Sequence, residues 1–240
     1  MASYGTKFRF RWQAANDADY EIDIKEKGYS GTVYDRAMGA APQLKRENNG
    51  HIYGTSLDIY AECKVDGEFS SLYTSDPTMY QVELYQGSVL MWIGFVSPEL
   101  YSEPDIAPPY DVTIVATDCL GELKLHDWEP DVKSQSILAH LNYLMSFSGL
   151  DLLWRSITSM RTSEAPYRTL LDTATVDLSD MEGKTCYEVL ESILTSINAN
   201  ITQQSGNWLL FRRNDAAFTD HTSLAYDFLS GGKSGSYPVA

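Results

Sequence analysis

The chain has 240 residues, of which 43% are hydrophobic, and this composition excludes a wholly disordered protein. Its 33 acidic and 18 basic residues give a net charge of −15, which disfavours contact with a phosphate backbone. A chain of this length suits one large domain or two of ordinary size. Composition therefore favours a folded, acidic protein with no sequence-specific nucleic-acid partner.

The three cysteines, Cys63, Cys119 and Cys186, are far apart and lack metal-binding or redox spacing. Cysteines of this kind are typical of small buried residues in a reducing compartment. The sequence shows no signal-peptide pattern, and no apolar run approaches the roughly 18 residues that a membrane span needs. We therefore expect a protein that folds in a cytoplasm and has no membrane segment.

The first half of the chain alternates polar and apolar residues with a period of two, as half-buried strands do. In residues 7–12 this alternation places Phe8, Phe10 and Trp12 on one face and basic residues on the other. Further strands are predicted at residues 20–25, 56–64, 81–85, 89–96 and 110–117. The pattern predicts an antiparallel β sandwich or barrel-like module over residues 1–128.

Residues 129–229 replace this alternation with helical stripes and hairpins, so the predicted fold class is α+β. A helix is predicted over residues 134–147, with Ser134 as its N-cap and a stripe of aliphatic side chains on one face. A strand is predicted to follow over residues 150–157.

A second predicted helix covers residues 185–198 and begins with a capping box formed by Thr185 and Glu188. It leads into a hairpin that turns at residues 205–207. Residues 230–240 have the glycine- and serine-rich composition of a linker.

The strongest candidates for catalysis are carboxylates in the loop that follows residue 96. Glu99, Glu103 and Asp105 lie close together beside Tyr101. Two carboxylates about 5–10 Å apart are what glycoside hydrolysis requires. The same loop also has a purely structural interpretation, because Pro98 and other prolines stiffen it and its acidic groups keep it soluble. We favour the structural interpretation and predict no catalytic residue.

No group of residues has the spacing of a metal or cofactor site. The histidines are scattered, and the aspartates near residue 177 lack the spacing of a calcium loop. The residues considered are His51, His126, His140, His221, Asp172, Asp177 and Asp180. We therefore predict no metal ligands and no cofactor.

Four stretches of the first half resemble prophage tail proteins of gut Bacteroidetes. They are residues 54–59 (GTSLDI), 72–85 (LYTSDPTMYQVELY), 91–104 (MWIGFVSPELYSEP) and 108–124 (PPYDVTIVATDCLGELK). In the second half, residues 189–213 (VLESILTSINANITQQSGNWLLFRR) are similar to a motif of baseplate hub proteins from contractile-tailed and Mu-like phages.

This resemblance implies a structural role without enzymatic activity. Such proteins form rings, usually trimers, at the tip of the tail tube and join the tube to spike, fibre or tape-measure proteins. It implies assembly in the host bacterial cytoplasm and a final place in the virion tail. Hub proteins are usually longer, so we expect the native chain to continue beyond Ala240.

Two alternatives stay open at this point. The first is a carbohydrate-binding module for a bacterial surface glycan, with Trp92 or Trp208 as the platform on which a sugar ring stacks. The second is a glycan-degrading enzyme that uses Glu99 and Glu103. Buried tryptophans would argue against the first alternative. A cleft holding both carboxylates would favour the second.

Overall fold

A computed structural model describes residues 3–15, 17–100, 103–157, 170–212, 222–226 and 233–238 of the chain. The chain divides into two units, one formed by Met1–Arg46 and Thr55–Asp118 and the other by Glu47–Gly54 and Cys119–Ala240. The fold class is α+β, as predicted. The first unit ends at Asp118, whereas the sequence pattern placed the boundary near residue 128. Residues 47–54 also belong to the second unit.

The first unit contains the six predicted strands and two strands, Tyr34–Arg36 and Gln43–Asn49, that were not predicted. In chain order, its strands are β1 (Tyr4–Gln13), β2 (Asp19–Lys27), β3 (Tyr34–Arg36), β4 (Gln43–Asn49), β5 (Ile52–Cys63), β6 (Tyr80–Gln86), β7 (Val89–Val96) and β8 (Tyr110–Thr117). Their order in the sheet is β5–β8–β7–β6–β2–β1–β3, and β4 pairs with β5. Along this order, every pairing is antiparallel, as predicted, except β1 with β3, which is parallel.

The sheet of the first unit closes on itself. The chain that follows β3 returns to β5, where the Gly39 N–H donates to the Tyr60 carbonyl at 2.9 Å. The Glu62 N–H in turn donates to the Ala37 carbonyl at 3.1 Å. Of the two architectures that the sequence left open, the structure therefore adopts the barrel. Closure satisfies backbone groups that an open sheet would leave at its edges.

The interior of this barrel is apolar because alternate residues of each strand point inward. The inward-facing residues are aromatic and aliphatic, and they include Phe8, Phe10, Ile22, Ile24, Leu57, Ile59, Val82, Leu84, Val112 and Ile114. Phe69 and Leu72, from the connection between β5 and β6, are fully buried against them. The predicted inward face of residues 7–12 is confirmed, with Trp12 partly exposed at its end.

In its described residues, the second unit combines three α-helices with short strands. Its elements are β9 (Ser134–Ser136), α1 (Ile137–Ser146), β10 (Trp154–Ile157), α2 (Leu170–Thr173), β11 (Thr175–Asp177), α3 (Cys186–Ser196), β12 (Asn200–Gln204), β13 (Asn207–Phe211), β14 (Thr222–Tyr226) and β15 (Lys233–Pro238). β10 lies between β13 and β14, and β15 pairs with β14. β12 pairs with β13 and, in parallel, with Ile52 and Tyr53 at the start of β5.

The second helix follows its sequence signals, whereas the first begins later than predicted. The predicted capping box of α3 is confirmed, with Thr185 and Glu188 bonding each other's backbone N–H groups. The predicted N-cap Ser134 is wrong, because Ser134–Ser136 pairs with β11 as a strand. Ser136 caps α1 instead, and its Oγ accepts from the Ala139 N–H at 3.2 Å.

Two further segments of the second unit show the strengths and limits of local signals. The hairpin between β12 and β13 turns at Ser205 and Gly206, which have φ values of 49° and 64°. Two positive φ values in succession are typical of a type I′ turn, and the predicted hairpin is confirmed. Lys233–Pro238 forms a strand although residues 230–240 have the composition of a linker. Pairing with β14 orders a segment that local composition leaves undecided.

Gly94 in β7 offers a test of packing against the barrel wall. A Cβ at this position would overlap the Thr117 carbonyl oxygen and the Trp92 ring. Overpacking of this kind costs about 1–3 kcal/mol. We expect Gly94→Ala to lower the free energy of unfolding by that amount in urea denaturation.

The matched control is Gly54→Ala, also in a strand, where an added Cβ meets no atom within 4 Å. We expect this variant to unfold at the same urea concentration as the natural sequence. Equal unfolding midpoints for the two variants would show that the close packing of Thr117 and Trp92 does not exclude a side chain at residue 94.

Candidate functional site

The structure assigns Glu103 of the predicted carboxylate cluster to a structural contact. Its carboxylate accepts from the Tyr110 hydroxyl at 2.8 Å and from the Gly67 N–H at 3.2 Å. The hydrogen bond to Glu103 is the main reason why the pKa of Tyr110 is raised above its ordinary value. Glu99 and Asp105 are exposed. Glu103 thus fastens the loop before β8 to the loop after β5.

The neighbouring Tyr101 lies outside the described residues. The contacts described for Glu103 are made with Tyr110 and Gly67. Glu103, one member of the pair considered for glycoside cleavage, is thus engaged in a structural contact.

The two tryptophans proposed as sugar platforms are buried. Trp92 is 1% exposed, and its indole N–H donates to the Thr55 hydroxyl at 2.8 Å. Trp208 is 0% exposed in β13. Neither ring has a free face for a ligand, so the prediction that these residues stack on sugars is wrong. Which face of a sheet a ring points to depends on how the strands pair, and the sequence alone does not determine that pairing.

The histidines in the described residues make separate structural contacts. The His140 side chain is 0% exposed, and its ring nitrogens lie 3.1 Å from the Val176 carbonyl and 3.3 Å from Gln135. His126 stacks on Phe147 with ring centroids 4.6 Å apart. These distances describe packed rings rather than metal ligands.

The remaining residues considered for metal binding are dispersed. His51 Nδ1 lies 2.8 Å from the Ala199 carbonyl, and His221 is outside the described residues. Asp177 accepts from the Ser179 N–H at 3.0 Å, which closes a local turn. Across the residues that the structure describes, no three histidine, cysteine or carboxylate side chains are grouped as metal ligands.

The three cysteines are buried and none of them forms a disulfide, as their spacing predicts. Burial raises the pKa of Cys186 to about 11, and the nearby charge of Asp127 adds to this effect. A thiol with a raised pKa is mostly protonated at neutral pH and is a weak nucleophile. Cys186 is therefore suited to packing rather than to covalent catalysis.

A pair of carboxylates on the outer face of the barrel was missed by the sequence analysis. Asp23 and Glu83 are direct partners on β2 and β6, and their exposed fractions are 4% and 7%. Arg9 holds Asp23 through two hydrogen bonds, of 2.6 and 2.7 Å. Lys25 and the Tyr85 hydroxyl both bond Glu83.

Alternation along β2 and β6 could have placed Asp23 and Glu83 on the same face, but strand pairing brings them opposite each other. Burial, followed by the hydrogen bond to Glu83, raises the pKa of Tyr85. Each carboxylate is neutralised by a basic side chain, as buried charges require. The arrangement is a static ion-pair network, suited to holding three strands together.

Another buried carboxylate, that of Asp118, joins two points of the first unit at which its second segment begins and ends. Asp118 is 2% exposed and accepts from both the N–H and the hydroxyl of Thr55, each at 2.6 Å. The Asp118 N–H donates back to the Thr55 carbonyl at 3.0 Å. Thr55 begins and Asp118 ends the second segment of the first unit. With Trp92, these residues form what we call the Thr55 clamp.

The first unit also carries a surface cavity of about 380 Å³. It is lined by Arg11, Trp12, Asp19, Tyr20, Glu21 and Gly87. Both aromatic residues are partly exposed, and their rings lie nearly parallel, 13° apart, with centroids separated by 5.3 Å. The other four tryptophans are each no more than 2% exposed. Trp12 is therefore the tryptophan with a surface to offer a ligand.

All seven residues of strand β4 are exposed, and the exposed fraction of Leu44 is 52%. Among the described strands it pairs with β5 alone. One of its charged side chains, Lys45, forms an ion pair with Asp58 of β5. A strand with an open edge can accept a further strand from another chain.

Two solved prophage tail proteins are similar to this chain in structure. One is the 43 kDa tail protein of prophage MuSo2 from Shewanella oneidensis. The match covers 75% of this chain and 56% of that protein, with a TM-score of 0.41 and 14% sequence identity. The other is prophage tail protein gp18 from Listeria monocytogenes EGD-e. The match covers 79% of this chain and 52% of that protein, with a TM-score of 0.38 and 10% sequence identity. The chain thus spans about half the length of each.

No protein-family model and no curated protein matches the sequence. Over the described ranges, no helix is long and apolar enough to cross a membrane.

The Thr55 clamp predicts a measurable contribution to stability. Thr55→Val removes the hydroxyl that donates to Asp118 and accepts from Trp92. Leaving such buried groups unpaired costs about 1–3 kcal/mol each. We expect the variant to lose free energy of unfolding in that range, as measured by urea denaturation.

The control is Thr113→Val in β8, a partly exposed position with the same change of side chain. We expect it to change the free energy of unfolding by less than about 0.5 kcal/mol. If both variants lose equal stability, the clamp has no special role.

His140 predicts how stability depends on pH. Burial lowers its pKa below the ordinary 6.5, and the opposing effects of the Val176 carbonyl and of Asp177 are smaller. The unfolded chain therefore takes up a proton more readily than the folded chain. The contribution of neutral His140 is complete above about pH 6.5 and is lost as the pH falls through the folded-state pKa.

We expect the free energy of unfolding to fall between about pH 7 and pH 5, and to fall less steeply in His140→Gln. Glutamine can keep a donor for the Val176 carbonyl but does not titrate. Denaturant unfolding at several pH values measures both slopes. Equal slopes for the two chains would contradict the assignment.

Proposed function

We propose that this protein is a non-enzymatic structural component of a phage or prophage tail. In this proposal it forms a baseplate hub-like ring, with a trimer favoured, that joins the tail tube to tip proteins. Its neighbours are other tail proteins of the tube, spike, fibre or tape-measure classes. It assembles in the bacterial cytoplasm and ends in the virion tail.

Strand β4 is the observation that carries the assembly part of the proposal. A seven-residue strand with every residue exposed is unusual for an isolated protein, because its open edge invites pairing with other chains. If β4 pairs with a different surface of the next copy, the contact is head-to-tail, and it closes into a ring when the rotation allows. The exposed Leu44 side chain adds an apolar contact to this edge.

The contacts of three carboxylates, Glu103, Asp23 and Glu83, support a structural role. Glu103 fastens two loops, and Asp23 and Glu83 are neutralised by basic side chains. The assignment to a tail rests on the sequence resemblance of residues 54–124 and 189–213 to prophage tail and hub proteins.

Light scattering over a range of protein concentrations tests the proposal. We expect a closed oligomer, a trimer or a hexamer. Leu44→Asp places a charge at the proposed interface and should weaken association at least about tenfold, which equals about 1.4 kcal/mol.

Val89→Asp provides the matched control, because Val89 is a similarly exposed residue, 56%, of another strand in the same unit. This variant should keep the mass of the natural sequence. A strict monomer at every concentration would overturn the ring. Equal loss of mass in both variants would remove β4 from the interface.

A further inference from the structure

The cavity beside Trp12 has the size and composition of a small-ligand site. Its volume of about 380 Å³ lies within the roughly 300–1,000 Å³ that ligand pockets occupy. An aromatic wall and a few charged groups line it, which is the usual combination of contact area and orienting polar atoms. It belongs entirely to the first unit and uses none of the residues proposed for the ring.

The aromatic wall is held rigidly by the strands that carry it. Trp12 and Tyr20 are direct partners on β1 and β2, and both pack against the barrel core. Trp12 continues the inward-facing series of Phe8 and Phe10. The two rings are stacked on each other, so each covers one face of its neighbour, and part of each ring is left in solvent at the end of the core.

The charged groups around this wall carry a net negative charge. The Arg11 guanidinium donates to Glu21 at 2.7 Å and lies 3.4 Å from Asp35, so it is fixed in place. Asp19 adds a second carboxylate to the lining, which gives the lining residues one positive and two negative charges. An anionic ligand would meet net repulsion. The fixed carboxylates and guanidinium are suited to hydrogen bonds with neutral hydroxyl groups.

Gly87 lines the cavity without placing a side chain in it. It has a φ of +57°, and no atom lies within 4 Å of where its Cβ would be. Its N–H donates to the Asp19 carbonyl at 2.8 Å, which joins the turn between β6 and β7 to the start of β2. A side chain here would take up space beside the cavity. Asparagine tolerates a positive φ better than most residues and can test this.

We propose that this cavity binds one ring of a neutral carbohydrate. The apolar C–H face of the sugar packs against the solvent-exposed part of the Trp12–Tyr20 stack, and its hydroxyl groups bond the charged groups that line the cavity. Such a ligand matches both features of the site, because a sugar ring has an apolar face and a polar edge. The site adds a binding activity to the barrel that does not depend on assembly.

Saturation-transfer NMR with three neutral probes tests the proposal: maltotriose, cellotriose and triacetylchitotriose. We expect saturable binding of at least one probe, weakened at least about tenfold in Trp12→Ala and in Tyr20→Ala. Gly87→Asn should weaken binding while leaving both rings in place. Tyr73→Ala, at a tyrosine that is 72% exposed and outside the cavity, should bind as the natural sequence does.

Intrinsic fluorescence provides a second readout. Since the other tryptophans are buried, the bound sugar should shift the emission of Trp12 alone, and Trp12→Phe should abolish that shift. Circular dichroism of each variant establishes that it is folded. Any variant that unfolds is replaced by Gly87→Asn as the deciding comparison.

Three results would overturn the proposal. The first is the absence of saturable binding for all three sugars, and the second is binding that Trp12→Ala, Tyr20→Ala and Gly87→Asn leave unchanged. The third is binding of tetramethylammonium in place of the sugars, which would identify a cation site. Leu44→Asp should bind the sugar normally, so failure of the ring and failure of the sugar site are separate outcomes.

Discussion

Hydrogen bonding along β5 is the constraint on which both units depend. Residues 56–63 pair with β8 along one edge, and Tyr60 and Glu62 bond the chain after β3, which closes the barrel. The first residues of the same strand, Ile52 and Tyr53, pair with β12 in the second unit. Its side chains enter both cores, with Ile52 in one and Leu57, Ile59 and Ala61 in the other. A break in β5 would therefore disturb both units.

The placement of charge follows from the cost of burying it. This acidic chain buries several carboxylates, and each has donors close by: Arg9 for Asp23, Lys25 for Glu83 and Thr55 for Asp118. An unpaired carboxylate in these places would cost several kcal/mol. Carboxylates held in this way stabilise strand pairing, and their fixed partners leave little freedom for proton transfer. The same reasoning explains why the acidic composition does not by itself predict a catalytic site.

The surface features divide into two kinds of interaction. β4 offers backbone groups, which pair with another strand largely irrespective of its sequence. The cavity at Trp12 offers a shaped aromatic surface with fixed charges, which selects a ligand by its chemistry. Together, the two proposals describe a protein that assembles through β4 and recognises a neutral sugar at the end of its barrel. The two sites use different residues and can be altered independently.

Local patterns predicted the elements of this protein, because strand alternation and helix capping act over a few residues. Six strands of the first unit and the capping box at Thr185 were accessible in this way, whereas β3 and β4 were not. The start of α1 was not, because pairing with β11 converts Ser134–Ser136 into a strand and moves the N-cap to Ser136. Composition likewise did not reveal β15, which depends on its pairing with β14.

The candidate site was harder to predict than the fold. The sequence showed five tryptophans, but exposure separates them, and exposure depends on which strands are neighbours. Trp92 and Trp208 are buried by elements distant in sequence, whereas Trp12 is left at the end of its strand. The sequence by itself determined which segments form strands and helices. Only the tertiary structure decided which aromatic rings and carboxylates meet solvent, because burial is a property of contacts between distant segments.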